Sequence, residues 1–284
     1  MKSAFPDLIF PDWEAPDNVR AFSTVRYGGV SLPPYHGRDI SDGGLNFAMH
    51  VGDLEARVEA NRAALAKMLP SEPLWLDQVH GTAVVSVADS PLLPQADASF
   101  AIRPEDVCIV LTADCLPVLL CDVKGEVVAA VHAGWRGLAG GILESTLFAM
   151  RAAQAGEILA WLGPAIGPGH FEVGEDVPEF FEARYGSFVR DEAFFLPVEH
   201  AKGKYLADIY ALARVILEKN QVLRISGGGF CTVREESRFY SFRRDGITGR
   251  MATCIWRKRQ GRMGALDRGA SVQACLQSFV QLPA

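Results

Sequence analysis

The sequence predicts a mixed α/β fold in which strands and helices alternate along the chain. Short runs rich in Val and Ile, bounded by Gly and Pro, are typical of strands and recur throughout. Segments with apolar residues at helical spacing lie between these runs, so the two kinds of element are interspersed. Since 49% of the 284 residues are hydrophobic, the chain can bury a large core without disulfides.

The first elements are short. Residues 5–35 are predicted to form short strands and turns, and residues 36–45 an exposed polar loop. The segment 54–69 carries apolar residues at near-helical spacing, with Asp53 in the N-cap position. We therefore predict a helix over 54–69.

A series of strand-like segments follows and predicts a sheet. These segments are 73–79, 82–88, 107–112, 117–122 and 126–132.

The second half continues the alternation. A glycine-opened segment with helical periodicity predicts a helix over 137–153, packed on that sheet. The later predicted elements are strand 157–162, a Gly-Pro loop at 163–169, helices near 175–185 and 205–219, and strands near 222–226 and 251–256. We interpret residues 1–258 as a single domain and residues 259–284 as a C-terminal tail.

Composition and charge argue against several classes of protein. The net charge of −6 gives no basic footprint for nucleic acid. The apolar runs are too short for a membrane span, and the N-terminus does not resemble an export signal. Six scattered cysteines without a C-x-x-C pair fit a reducing compartment. These features predict a cytoplasmic protein, either a monomer or a small homo-oligomer.

Three residues stand at the ends of strand-like runs, next to glycine or proline: His80, Cys115 and His132. Two imidazoles and a thiolate are suitable zinc ligands. Their separations of 35 and 17 residues differ from the closely paired ligands of structural zinc sites, and three ligands would leave one position open for catalysis. Each residue alone also fits a packed thiol or a hydrogen-bonded turn histidine, so the residues themselves leave both interpretations open.

Six ordered motifs resemble the YfiH family, and they span about Phe22 to Trp256. The motifs are QVHG (78–81), ADASF (96–100), TADCLPVLLCD (112–122), HAGWRG (132–137), GPAIGP (163–168) and FRRDGITGRMA (242–252). Bacterial members have been called polyphenol oxidase-like proteins, multi-substrate purine nucleoside phosphorylases and peptidoglycan editing factors. The resemblance implies a layered sandwich of mixed β-sheets flanked by helices, with zinc bound by His80, Cys115 and His132 as the catalytic centre.

The resemblance also implies activities, and the needs of those reactions suggest further site residues. The activities are phosphorolysis of adenosine, inosine and methylthioadenosine, and hydrolytic deamination of adenosine. Arg136 and Arg26 are candidates for binding phosphate, while Gln78 and Asn46 are candidates for binding the nucleoside. Asp114, beside the cysteine ligand, is a candidate for supporting the metal site. The expected partners are therefore a small nucleoside and phosphate.

Three alternatives compete with this function. Cys115 could be a nucleophile with His132 as its base, in an amide hydrolase that edits peptidoglycan precursors without metal. A copper phenol oxidase is less favoured than a zinc enzyme because only two of the six histidines converge. A non-catalytic protein that only binds a nucleoside is the last alternative.

Overall fold

The computed structural model describes residues 7–259, so the predicted tail lies outside the described residues except for Arg259. The strands are β1 (Val19–Ser23), β2 (Tyr27–Ser31), β3 (Val84–Ser86), β4 (Ala98–Ala101), β5 (Val107–Thr112), β6 (Leu116–Asp122), β7 (Val128–Ala133), β8 (Ile158–Leu162), β9 (Glu172–Gly174), β10 (Phe195–Pro197), β11 (Lys204–Ala207), β12 (Arg224–Gly227) and β13 (Met251–Arg257). The helices are α1 (Glu55–Ala66), α2 (Trp135–Gly140), α3 (Ile142–Ala152), α4 (Asp176–Tyr185), α5 (Ile209–Lys219) and α6 (Phe242–Asp245), with 3-10 turns at Met49–Val51 and Ser187–Arg190.

The central layer is a six-stranded mixed sheet with the order β12-β8-β6-β7-β4-β3. Its middle strands β6, β7 and β8 are buried along their whole length, which explains their continuous apolar sequences. Strands β6 and β7 pair antiparallel, with Leu116 opposite Ala133. This register places the residue that precedes β6 beside the end of β7, where the site forms.

Alternating side chains of β6 fill two different cores, as the two-residue period of a strand requires. Leu116, Val118 and Leu120 belong to the core that contains residues of α3 and α5. Leu119 and Cys121 belong to the core shared with β5 and β13 of a three-stranded sheet, β1-β13-β5. The predicted layered sandwich of sheets and helices is thereby confirmed.

The predicted strand 73–79 is wrong. The segment forms only isolated bridges, from Leu74 to Cys108 and from Asp77 to Gln95. In place of a continued backbone ladder, the Gln78 side chain donates to the Leu111 carbonyl and accepts from the Leu111 N–H, each at 2.8 Å. A side-chain amide therefore covers the free edge of β5.

Two predicted helices have different bounds because of single residues. Gly141 adopts a left-handed φ of 100° and divides the predicted 137–153 helix into α2 and α3. The predicted 205–219 helix begins only at Ile209, where Asp208 accepts hydrogen bonds from the N–H groups of the first turn.

The predicted N-cap role of Asp53 is also wrong, because Leu54 occupies that position and α1 has no side-chain cap. One Asp53 carboxylate oxygen accepts from the Leu54 N–H and the other accepts from the Asn46 amide. None of the helices within residues 7–259 has the length and apolar character that crossing a bilayer requires.

Candidate metal centre and cavity

His80, Cys115 and His132 meet at one edge of the central sheet. His80 lies in the turn after residues 73–79, Cys115 directly precedes β6, and His132 lies near the end of β7. One ligand atom from each residue lies within 4.8 Å of the others, so the three side chains could hold a metal ion together. Exposure decreases across the group: His80 is exposed, Cys115 is half-buried and His132 is buried.

The distance between Cys115 and His80 suits a tetrahedral metal. The Cys115 Sγ lies 3.6 Å from His80 Nε2. A tetrahedral zinc with ordinary Zn–N and Zn–S bonds would separate such atoms by roughly 3.6 Å. No fourth His, Cys, Asp or Glu of residues 7–259 joins the group. The donor set therefore fits zinc and leaves one coordination position for a small molecule.

Asp97 holds two of the three residues in place, and sequence reasoning missed it. The carboxylate is fully buried and accepts a hydrogen bond from His132 Nδ1 at 2.8 Å. The same carboxylate accepts from the backbone N–H groups of Val79, His80 and Gly81. The bond at Nδ1 directs the other ring nitrogen of His132 toward the metal position. The only signal was the acid of the ADASF motif, which directly precedes β4.

The electrostatics of the group favour a charged cysteine. Burial opposes the Cys115 thiolate, but the charge and hydrogen bonds of His132 and His80 outweigh it and lower the Cys115 pKa to about 6. Burial likewise opposes the His132 imidazolium, but Cys115 and Asp97 raise the His132 pKa to about 9. Without metal, the pair is a thiolate and an imidazolium near neutral pH, and metal binding must displace the imidazolium proton.

A cavity of about 580 Å³ opens over these residues, a size that suits a small organic molecule. Its wall contains aromatic and basic side chains that come from separate parts of the chain. The aromatic residues are Trp135, Phe171 and Phe242, and the basic ones besides His80 and His132 are His50, Arg62, Arg136, Arg243 and Arg250. The cavity therefore offers flat apolar surfaces for a ring and cations for an anionic group.

Three of the other candidate residues line this cavity. Gln78 is at the wall, but both ends of its amide are bonded to Leu111. Arg136 is exposed, and its guanidinium lies over the Trp135 ring at 4.4 Å.

Asp114, the third of them, has a structural connection that the sequence did not indicate. Its carboxylate accepts from the Thr232 hydroxyl and, at 2.6 Å, from the Arg243 N–H. Asp114 also has a φ of 88°, a strained conformation for a residue with a side chain. It therefore ties the loop of Cys115 to two distant segments instead of bonding to the thiol.

Arg26 and Asn46 do not line the cavity. The Arg26 side chain is buried beside the Tyr240 ring and donates to the carbonyls of His36 and Glu236. The Asn46 side chain is buried too, and its carbonyl oxygen accepts from the N–H groups of Ala48 and Arg250. Asn46 thus reaches the cavity only through the backbone of Arg250.

The protein is a mixed α/β sandwich with a candidate metal centre, two histidines and one cysteine, at the base of a cavity. Residues 20–258 match the family described as "Multi-copper polyphenol oxidoreductase laccase". The chain belongs to this family, which includes the YfiH proteins, and the resemblance found in the sequence motifs is confirmed.

Relatives carry a more specific name. The chain is 50% identical over 252 residues to "Purine nucleoside phosphorylase YfiH" of Escherichia coli, covering 88% of this chain and 98% of that protein. It is 47% identical over 248 residues to "Purine nucleoside phosphorylase PA4543" of Pseudomonas aeruginosa, covering 87% and 97%. The crystal structure of Neisseria meningitidis protein NMB0706 has a TM-score of 0.80 at 43% identity, covering 89% of this chain and 99% of that one. The names of the relatives support an enzyme.

Proposed function

We propose that this protein is a zinc-dependent purine nucleoside phosphorylase that acts on adenosine, inosine and methylthioadenosine, and that also deaminates adenosine. The observation that carries the proposal is the group of His80, Cys115 and His132 at the base of a cavity with aromatic and arginine walls. The naming of close relatives as purine nucleoside phosphorylases supports the same substrate class.

The donor set favours zinc over copper. Two imidazoles and one thiolate are ordinary zinc ligands. A multi-copper oxidase needs several copper ions, each with its own ligands. Within residues 7–259, His80, Cys115 and His132 form the one group of this kind. We therefore assign a single zinc ion to the site.

The side chains of the cavity perform the positioning that phosphorolysis requires. A phosphate oxygen forms a bond to the ribose C1′ while the bond from C1′ to the base nitrogen breaks, and the base leaves with a proton. Aromatic walls such as Phe242 provide surface for the purine, and arginines compensate the charge of the phosphate. Asp97 keeps His132 in a fixed orientation. When bound, zinc would supply a Lewis acid that polarises a substrate oxygen or ionises a water.

Deamination uses the same cavity with water in place of phosphate. Water must add at C6 of adenine and ammonia must leave. The two reactions share the purine and differ in the second substrate, so a single site can accommodate both. The balance between them then depends on whether phosphate occupies the cavity.

The thiolate and imidazolium pair supports one competing function. Cys115 with a lowered pKa beside His132 also has the arrangement of a cysteine nucleophile and its base. A metal-free amide hydrolase acting on peptidoglycan precursors would use this pair directly. Metal dependence separates the two proposals, because a thiol nucleophile would remain active in a chelator.

The deciding experiment is incubation of the purified protein with adenosine, with and without phosphate. Adenine and ribose 1-phosphate, formed only when phosphate is present, would support phosphorolysis. Inosine and ammonia would support deamination. Loss of both activities after chelation, with recovery on adding zinc, is the expected result. Neither set of products from zinc-loaded protein would refute the proposed function.

A further inference from the structure

The cavity has an excess of positive charge, although the whole chain has a net charge of −6. Its charged side chains, the two site histidines aside, include four arginines and two aspartates: Arg62, Arg136, Arg243, Arg250, Asp77 and Asp114. Among the ion pairs of residues 7–259, none involves any of these four arginines. Arginines that line a cavity without a carboxylate partner are suited to bind an anion.

Arg250 is the arginine whose position is most firmly fixed. Its backbone N–H donates to the buried Asn46 side chain at 3.0 Å. Its Nη1 donates to the carbonyls of Thr248 and Gly249. Within residues 7–259, its Nε and Nη2 donate to no protein acceptor. Part of the guanidinium is therefore held by the protein while the rest is free to bind a ligand.

Arg250 also lies near the metal centre. It lines the same cavity as Cys115 and Asp114. Burial lowers the pKa of its guanidinium, and the charges of Cys115 and Asp114 offset this only in part. The Asp114 carboxylate already accepts from Thr232 and Arg243, so its oxygens are engaged elsewhere. The Arg250 guanidinium is thus close to the proposed reaction centre and still has free donors.

Arg243 directly follows Phe242 in the chain, and its guanidinium carbon lies 5.6 Å from the centre of another cavity ring, Phe171. The Arg250 Cζ is 5.9 Å from the centre of the Phe242 ring. The Arg243 backbone is anchored to Asp114 at 2.6 Å, and its Nη1 donates to the Glu172 carbonyl at 2.8 Å. Two arginines on anchored backbones therefore line the cavity, Arg250 beside Phe242 and Arg243 beside Phe171.

The other two arginines are less suited to the same role. Arg62 stacks on the Trp75 ring at 3.8 Å and donates its Nε to the Phe47 carbonyl. Arg136 is exposed, as Arg243 is, but its guanidinium lies over Trp135, whereas Arg243 is bonded to Asp114 and Glu172. Arg62 is half-buried like Arg250, but its Nε is already engaged, and neither Arg62 nor Arg136 has a backbone N–H held by a buried side chain as Arg250 has.

We propose that Arg250, together with Arg243, forms the subsite for inorganic phosphate, with Asn46 as a positioning residue that holds the Arg250 backbone. This inference rests on the proposed function, because it assigns the second substrate of phosphorolysis. A guanidinium with free donors on Nε and Nη2 can bind two phosphate oxygens side by side. The assignment replaces Arg26, whose guanidinium is buried outside the cavity.

The test is steady-state phosphorolysis of adenosine by zinc-loaded protein at varied phosphate concentrations. Arg250→Gln removes the charge but leaves the backbone bond to Asn46. We expect its KM for phosphate to rise on the order of 10- to 100-fold, as expected for losing charge-assisted hydrogen bonds, with a much smaller change in the KM for adenosine. Arg250→Lys keeps the charge but lacks the paired donors, so its KM for phosphate should lie between those of the wild type and Arg250→Gln. Arg103→Gln, an exposed arginine outside the cavity, is the matched control.

Two results would overturn the assignment: an unchanged KM for phosphate in Arg250→Gln, or an equal rise in the KM for adenosine. A nucleotide 5′-phosphate offers the same chemistry as free phosphate. AMP inhibition therefore distinguishes the two ligands. If AMP inhibits Arg250→Gln more weakly than it inhibits the wild type, while the two proteins have the same KM for phosphate, the subsite binds a nucleotide and the assignment to inorganic phosphate is wrong.

A binding measurement separates this inference from the proposed function. Inorganic phosphate should raise the melting temperature of the zinc-loaded wild type but not that of Arg250→Gln. If this difference appears while the wild type forms no ribose 1-phosphate, the subsite is correct and phosphorolysis is not the reaction. If Arg250→Gln does not fold, Arg243→Gln provides the same comparison, because only its backbone bonds to Asp114.

Discussion

His132 Nδ1 donates a hydrogen bond to Asp97 Oδ1 at 2.8 Å, and both side chains are buried. The Asp97 carboxylate also accepts from the backbone N–H groups of Val79, His80 and Gly81. His80 has a left-handed φ of 60°, which is unfavourable for a residue with a side chain and needs support from its surroundings. One carboxylate therefore orients the ring of one proposed ligand and stabilises the backbone of another.

Asp97→Asn should weaken zinc binding about 10- to 100-fold, the usual effect of removing an outer carboxylate from a ligating histidine. The amide lacks the negative charge that favours His132 Nδ1 as a donor. Competition with a chromophoric chelator measures the affinity, and the absorption spectrum of cobalt-substituted protein reports the ligand geometry independently of activity.

The control for this variant is Asp89→Asn, at an exposed carboxylate. It makes the same chemical change outside the cavity and should leave zinc affinity unaltered. Wild-type zinc affinity and an unchanged cobalt spectrum in Asp97→Asn would contradict the positioning role.

The sequence indicates the three central residues because each ends a strand-like run beside glycine or proline. It does not indicate Asp97, because that acid lies between two alanines, and small residues are weak signals for a strand. Its role depends on the antiparallel pairing of β4 with β7, which places Ala98 opposite Val131. Strand pairing over such a separation is a tertiary property that local patterns do not encode.

Local sequence patterns likewise do not indicate which arginines line the cavity. Arg26 precedes Gly28 and Gly29 and is a candidate for binding phosphate, but its backbone pairs with Arg238 and Leu45 and its side chain is buried in the interior. Arg250 is fixed by Asn46, 204 residues earlier in the chain. Contacts between distant segments therefore decide which of these arginines lines the cavity, and local sequence patterns do not encode them.

The Cys115 thiol of metal-free protein should react with iodoacetamide as a thiolate at unusually low pH. Its pKa is lowered to about 6, so the alkylation rate should be half-maximal near that pH, whereas an ordinary thiol has a pKa of about 8.5. Because the pKa is lowered, reactivity persists through neutral pH and is lost as the pH falls below about 6. Peptide mass spectrometry of timed samples gives the rate at each pH.

Three comparisons sharpen this experiment. Cys108 and Cys121 are buried and have pKa values raised to about 12 by burial, so they should stay unmodified in the same samples. Zinc should protect Cys115 from alkylation. His132→Asn should move the midpoint upward, since His132 makes the largest favourable contribution to the thiolate. A midpoint near 8.5 in the wild type would show that the imidazoles do not act on this thiol.

Gln78→Glu should lower stability more than it affects substrate binding. The glutamine amide both donates to and accepts from the backbone of Leu111. A carboxylate cannot donate, so the Leu111 carbonyl would lose its partner at a cost of about 1–2 kcal/mol. For a domain of this size, thermal melting should fall by a few degrees, about 2–4 °C per kcal/mol.

Gln221→Glu makes the same chemical change at an exposed position. Its melting temperature should remain that of the wild type. A Gln78→Glu protein with unchanged melting and a raised KM for adenosine would instead indicate that the amide binds the nucleoside.

Gly134→Ala should disturb the metal centre without removing a ligand. A Cβ at this position would lie 2.7 Å from His80 Cδ2 and 3.1 Å from Cys115 Sγ, so both side chains would have to move. The backbone itself accepts alanine, with φ at −64° and ψ at 156°. We therefore expect weaker zinc binding and an altered cobalt spectrum, with protein that still folds. Gly156→Ala is the matched control because no atom lies within 4 Å of its added Cβ. Equal zinc affinities in the two variants would show that His80 and Cys115 do not require this spacing, and the proposed ligand group would lose its geometric basis.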